Sequence, residues 1–181
     1  MIETLKELFI YFKNPILEED QNFDFSYRIK KFISLLLICL ATGFLISPLF
    51  ILIESLGFVD MQDHAMEDLM KKLSKPIIFL FAAIIAPVFE ELIFRAPLTA
   101  LKKKNQFRIA FYVFTILFGL VHITNFDITT NVLLLSPILV LPQLLVGGYF
   151  GFIRIRFGLV WSMALHGCYN AILMLVSFST Y

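Results

Sequence analysis

APVFEELIFRAP, residues 86–97, sets Glu90, Glu91 and Arg95 between two prolines in the middle of an otherwise apolar run. Ionisable side chains inside a membrane span are costly to hold, so each one found there calls for a partner or a task. How this stretch is read depends on whether the chain around it belongs in a bilayer.

The composition places it there. Of 181 residues, 59% are hydrophobic, 21 are Phe and only 16% are charged, whereas soluble domains are usually about half apolar and about a quarter charged. The formal net charge of +1 leaves no basic excess for a nucleic-acid partner, and no block of like charge forms a binding tail. Cys39 and Cys168 lie in apolar runs without metal-type spacing, so no disulfide framework is expected and both read as packing residues.

A helix needs ~20 predominantly apolar residues to cross the hydrocarbon core. Residues 32–53, 77–98, 107–124, 132–153 and 159–178 meet or approach that length. The expected fold is an all-α, polytopic transmembrane helix bundle of about five spans. Pro137 and Pro142 predict that the fourth span is kinked or split. Ahead of the bundle, MIETLKELFIYFKNP places Leu5, Leu8, Phe9 and Phe12 on one helical face, which predicts a short helix lying in the interface. No removable signal peptide is expected at this N-terminus. The organisation read from these segments is a cytoplasmic amphipathic helix and lead-in over residues 1–31, followed by one transmembrane domain over 32–181.

Loop charge supplies the orientation. Lys6, Lys13, Arg28, Lys30 and Lys31 precede the first span, Lys102, Lys103, Lys104 and Arg108 lie between the second and third, and Arg154 and Arg156 between the fourth and fifth. The alternate loops hold only Lys71, Lys72 and Lys75, diluted by five acidic residues including Asp60, Asp63 and Glu67. The expected localisation is a bacterial inner membrane with the N-terminus in the cytoplasm. Trp161 and Tyr181 suit interface anchors of the last span.

Three spans carry polar groups. Glu91 and Arg95 are four apart, with the acid on the N-terminal side, the favoured order for a helical ion pair. Glu90 points about 100° away and must face something else polar. Pro87, three residues earlier, removes a backbone hydrogen bond and loosens the helix just before the charges. FGLVH puts Phe118 and His122 on one face of the third span, and HGCYN puts His166 and Asn170 on one face of the fifth. His64, beside Asp63 in a loop, reads as a solvated surface residue. Depth sets a test: Glu90 and His166 each lie about 10–12 Å from the cytoplasmic end of their spans, but His122 lies roughly 22 Å from Phe107. That places it too far outward unless the third helix enters the membrane later, near Tyr112.

Any one of these groups alone would more often tie helices together than do chemistry. The GGYFG stretch, with Gly147 and Gly151 at small-xxx-small spacing, reads as helix packing. Five ionisable groups, Glu90, Glu91, Arg95, His122 and His166, in one small chain favour a site. A carboxylate out of bulk water serves as a general base, with a histidine holding the water it deprotonates, and a second His with an amide stabilises an oxyanion. That set suits amide hydrolysis. Glu90, His122 and His166 are equally the donor types of a hydrolytic zinc site. The rival readings are a non-enzymatic immunity or scaffold protein and, without repeated halves to support it, a small proton-coupled carrier.

EELIFR (Glu90–Arg95), FGLVH (Phe118–His122) and HGCYN (His166–Asn170) resemble, in this order, the EExxxR, FxxxH and HxxxN motifs of the CAAX-protease and bacteriocin-processing family of intramembrane endopeptidases. The resemblance spans about half the chain. It implies that Glu90 and His122 activate water, that His166 and Asn170 form the oxyanion pair and that Glu91 and Arg95 support the site. It also implies that His122 reaches the site. A metallo and a glutamate mechanism are both described for the family, so zinc stays open as cofactor. The implied partners are the bilayer and a membrane-associated peptide or protein. Eukaryotic relatives trim prenylated proteins, while bacterial ones are linked to peptide maturation, bacteriocin immunity and membrane-anchored regulators.

Overall fold

The computed structural model describes residues 1–60 and 72–180. His64, its neighbour Asp63, Lys71 and the proposed anchor Tyr181 lie outside the described residues.

The described residues are predominantly helical, with no strand among them. Helix α1 runs Ile2–Lys13 and α2 Phe25–Ser55. The second span is composite: α3 (Lys75–Leu80), a π-helical turn (Phe81–Ile85), α4 (Ala86–Phe94) and a 3-10 segment (Ala96–Ala100). The third comprises α5 (Lys104–Val121) and a 3-10 turn (His122–Asn125), the fourth α6 (Thr130–Leu139) and α7 (Leu141–Phe157), and the last α8 (Leu159–Thr180). Five stretches are long and apolar enough to cross a membrane: Phe25–Ser55, Lys75–Ala100, Lys104–Asn125, Thr130–Phe157 and Leu159–Ser179. Each contains the corresponding expected span. Large apolar side chains such as Phe44 (79% exposed) and Leu45 (76%) face outward, as lipid contact requires and as a water-soluble surface does not.

The breaks follow from the prolines. Pro142 has no N–H for the carbonyl four residues back, and the fourth span divides at Val140 between α6 and α7. In the second span the backbone widens ahead of Pro87, and the Ala86 N–H bonds to Phe81 O, five residues back. In that register Ala82 O would accept from residue 87, a proline without an N–H. Asn170 on α8 supplies the missing donor, its Nδ2 lying 2.8 Å from Ala82 O.

Lipid-facing apolar surface gives helices little hydrophobic reason to associate, so close packing and polar contacts hold such a bundle together. Gly147 and Gly151 of α7 lie against Phe118 and Phe111 of α5, in the packing role expected of them. Around them Phe107, Phe111, Phe118, Phe150 and Ile153 form a buried core with Leu35 and Cys39 of α2. Cys168, by contrast, is exposed. It sits on the outer side of α8, which corrects its expected packing role.

The N-terminal helix departs from a simple interfacial helix. Its inward face is Thr4, Leu8 and Tyr11, all buried, while Leu5 and Phe9 are exposed. Tyr11 packs edge-on against Phe111 and Phe152, and Phe12 stacks on Tyr149. The apolar stripe is therefore shared between the bundle and the surroundings. The Tyr11 hydroxyl donates to Ile16 O at 3.0 Å, and burial pushes its phenol up from the usual tyrosine range.

This docking resolves the depth discrepancy of His122. The Tyr112 hydroxyl donates to Phe12 O at 2.7 Å, and Arg108 bonds the Asn14 side chain. The first turns of α5 thus lie level with α1, and depth is counted from Tyr112, ten residues or ~15 Å before His122. On the second span, the 3-10 segment rises ~2.0 Å per residue and sinks Glu90 to roughly 17 Å from Ala100.

The chain reverses between α7 and α8 at Gly158, whose φ of +105° and ψ of 174° are accessible essentially to glycine alone. Phe150 and His166 each stand eight residues from it, and their rings stack at 4.4 Å between centroids. At Gly167 of α8 the backbones approach closely, and an added Cβ would sit 2.7 Å from Ala83 O. Gly167→Ala is therefore expected to lower stability by ~1–3 kcal/mol, read as an earlier thermal unfolding transition in detergent. Gly119→Ala, whose Cβ would overlap the Leu144 side chain and touch its backbone N at 3.4 Å, is expected to cost less, because a side chain can turn aside where a backbone carbonyl cannot.

Candidate active site

The π-turn and α4 present the two adjacent carboxylates to different surroundings. Glu91 is fully buried. Its Oε1 lies 3.1 Å from His166 Nδ1 and 3.7 Å from Arg95 Nε, and its Oε2 is hydrogen-bonded by Ser162. The Ser162 hydroxyl is also 2.9 Å from Phe150 O and shares its one proton between the two acceptors. The expected Glu91–Arg95 ion pair is present, and it belongs to a wider network.

Arg95, 2% exposed, donates from Nη2 to Gly147 O at 2.9 Å and lies 3.8 Å from the centre of the Phe118 ring. This combines a charge-assisted hydrogen bond with a cation–π contact. Arg154, expected as a loop charge, reaches back instead: its Nε donates to Arg95 O at 3.2 Å and its Nη2 to Thr99 Oγ at 3.0 Å. It thereby satisfies carbonyl and hydroxyl groups where α4 gives way to the 3-10 segment.

Both histidines are oriented through Nδ1. His122 Nδ1 lies 2.7 Å from Phe118 O, and a carbonyl only accepts, so this nitrogen carries a proton. His166 Nδ1 faces the Glu91 carboxylate in the same way. In the neutral rings both Nε2 atoms are then electron-pair donors. They converge on Glu90: Oε2 is 4.0 Å from His122 Nε2 and 3.7 Å from His166 Nε2. That oxygen is buried without a hydrogen-bond partner.

The structure thus brings Glu90, Glu91, Arg95, His122 and His166 together. Asn170 lies one turn beyond His166 on the same face of α8, with one amide N–H engaged by Ala82 O. Glu90, His122, His166 and Asn170 line a cavity of about 560 Å³ whose other walls include Phe81, Phe118, Phe150 and Leu173. Ser162 and Arg154 were not singled out from the sequence. A signal for the first was present, since Ser162, His166 and Asn170 follow one another at intervals of four on one helical face. Arg154 gave none, because a loop arginine and a helix-capping arginine look alike in sequence.

One carboxylate and two imidazoles are the donor types of a hydrolytic zinc site. As they stand, however, no group of three or more His, Cys, Asp and Glu side chains among the described residues is gathered to hold a metal ion. The arrangement does not make a closed metal site.

Residues 72–172 match the family described as Rce1-like type II CAAX prenyl endopeptidase, and the match runs from the start of the composite second span past Asn170. The chain belongs to the Rce1-like family. No curated protein and no solved structure matches it. Membership of the Rce1-like family makes it an integral membrane protein and a peptidase of the CAAX type, acting on a membrane-associated substrate. The family match covers every one of the six expected site residues.

Proposed function

We propose that the chain is an endopeptidase that hydrolyses a peptide bond within the bilayer, using water activated by Glu90 and His122. The observation that carries this reading is the unpartnered Glu90 Oε2 facing two imidazole Nε2 atoms inside a cavity. Separations of 3.7 and 4.0 Å are longer than a direct hydrogen bond and suit a bridging water.

In this mechanism Glu90 takes a proton from that water while His122 Nε2 holds it, and the oxygen attacks the scissile carbonyl carbon. Charge develops on the carbonyl oxygen, and His166 and the second N–H of Asn170 donate to it. In that role His166 is protonated on both nitrogens, Nδ1–H held by Glu91 and Nε2–H directed at the oxyanion. Glu90 then returns its proton to the leaving nitrogen as the C–N bond breaks, giving one carboxylic acid and one amine. Glu91, Arg95 and Ser162 position His166 and α4, and no step is routed through a metal.

The substrate is a membrane-associated peptide or protein, and the family's description makes a prenylated C-terminal peptide the first probe. We place the chain in a bacterial inner membrane with residues 1–31 on the cytoplasmic side and 32–181 as the catalytic domain. Support comes from the clustering of basic segments at one end: Arg108 meets Asn14, and Arg156 and Arg28 meet the 18–22 lead-in.

The test is cleavage of internally quenched peptides, with and without a farnesylated cysteine three residues from the C-terminus, by the purified protein in detergent. Product masses one peptide-bond hydrolysis apart are expected, with rates unchanged by 1,10-phenanthroline. Cleavage that the chelator stops and zinc restores would recast Glu90, His122 and His166 as ligands. No cleavage of any peptide would return the polar groups to a purely structural role.

A further inference from the structure

Gln143 stands at the third position of α7, on the wall of the cavity that holds Glu90 and His122. Its Oε1 is enclosed and has no hydrogen-bond partner. A glutamine here commonly caps its helix by reaching back to the N–H of the residue before the first turn. At Val140 that N–H is already bonded to Ser136 O at 3.0 Å. The capping role is therefore taken, and an amide is left facing the cavity. Gln143 is also one turn before Gly147, whose carbonyl holds Arg95, and two turns before Phe150, which stacks on His166.

Three other polar side chains of this cavity are engaged with the protein itself. Asn170 bonds Ala82 O, and the Nδ1 atoms of His122 and His166 bond Phe118 O and Glu91. A peptide drawn into an apolar cavity loses water from every backbone N–H and C=O, and each left unpaired carries a desolvation cost. The scissile carbonyl has its proposed donors, but the peptide groups flanking it need partners too. We infer that Gln143 is a substrate-binding residue, its side-chain amide pairing with the backbone of the peptide beside the scissile bond. A primary amide offers both a donor and an acceptor to such a group. The inference rests on the endopeptidase reading.

Two properties separate this role from a structural one. A buried polar atom with no partner destabilises the protein that contains it, so replacing it by an apolar group of similar shape is stabilising or neutral. Losing its hydrogen bond to substrate is harmful only when substrate is present. Gln143→Leu is therefore expected to keep or raise the thermal unfolding temperature while lowering kcat/KM for the quenched peptide that the wild-type protein cleaves, by ~10- to 100-fold. Gln143→Asn, which keeps the amide but shortens its reach, is expected to fall between. The same peptide bound to Glu90→Gln protein, followed by fluorescence anisotropy, is expected to bind several-fold more weakly when Gln143→Leu is added.

Unchanged kcat/KM and binding in Gln143→Leu would overturn the inference and leave the endopeptidase reading standing. A lowered unfolding temperature with wild-type turnover per folded molecule would overturn it as well, by making Gln143 a packing residue. A wild-type protein that neither cleaves nor binds any peptide would overturn both readings together.

Discussion

Glu90→Gln is expected to lower kcat for peptide cleavage by about 10²–10⁴-fold, the range that a positioned general base supplies. The amide keeps the shape of the carboxylate but cannot accept a proton from water at neutral pH. Stability should not fall with activity. Glu90 Oε2 has no hydrogen-bond partner in the fold, so the substitution breaks no bond there. Progress curves with the quenched peptide, beside thermal unfolding followed by the fluorescence of Trp161, measure the two quantities on one preparation. A variant that cleaves at the wild-type rate would remove Glu90 from the chemistry. One that unfolds much earlier than wild type would make its role architectural.

The second large effect is expected on stability. Arg95→Met removes the guanidinium that is hydrogen-bonded to Gly147 O and placed near Glu91 Oε1. Methionine fills much of the volume over Phe118 but leaves the fully buried Glu91 without its cation. Breaking one side of a buried pair typically costs ~3–5 kcal/mol, because the remaining charge is uncompensated. Adding Glu91→Leu to Arg95→Met should recover a large part of this loss, as removing both charges removes the penalty. Unfolding in graded denaturing detergent measures Arg95→Met, Glu91→Leu and the double variant. A single Arg95→Met within ~1 kcal/mol of wild type, or a double variant worse than the sum of its parts, would show that the pair does not hold the bundle together.

The contrast between Glu90 and Glu91 shows what the sequence could and could not convey. Spacing showed that Arg95 stands on the same face as Glu91 and that Glu90 points elsewhere, because both follow from 3.6 residues per turn. The five spans were legible because crossing the hydrocarbon core demands ~20 apolar residues, whether or not the helix breaks on the way. The depth of His122 was not legible. It depends on where α5 meets α1, and the deciding contacts, Tyr112 with Phe12 and Arg108 with Asn14, join residues some hundred positions apart. Pro87 announced a disturbed helix but not its form. Whether a proline yields a kink, a break or a π-turn depends on what can satisfy the freed carbonyl, and the donor here, Asn170, comes from the last helix. Cys168 misled for a simpler reason: in a bilayer apolar residues lie on both sides of a helix, so an apolar neighbourhood in sequence does not mean an interior position.

The π-turn at Phe81–Ile85 holds one more residue in its circuit than an ordinary helical turn. Everything that follows it is advanced by about 100° relative to an uninterrupted helix. Deleting one residue within that turn would let the span run straight, and Glu90, Glu91 and Arg95 would swing together away from the two histidines and Ser162 on the neighbouring helices. The site is thus encoded by chain length as much as by residue type. Point changes along the outer face of the second span should be absorbed, whereas a single insertion or deletion between Phe81 and Pro87 would rewrite which side chains meet, with every polar residue still present.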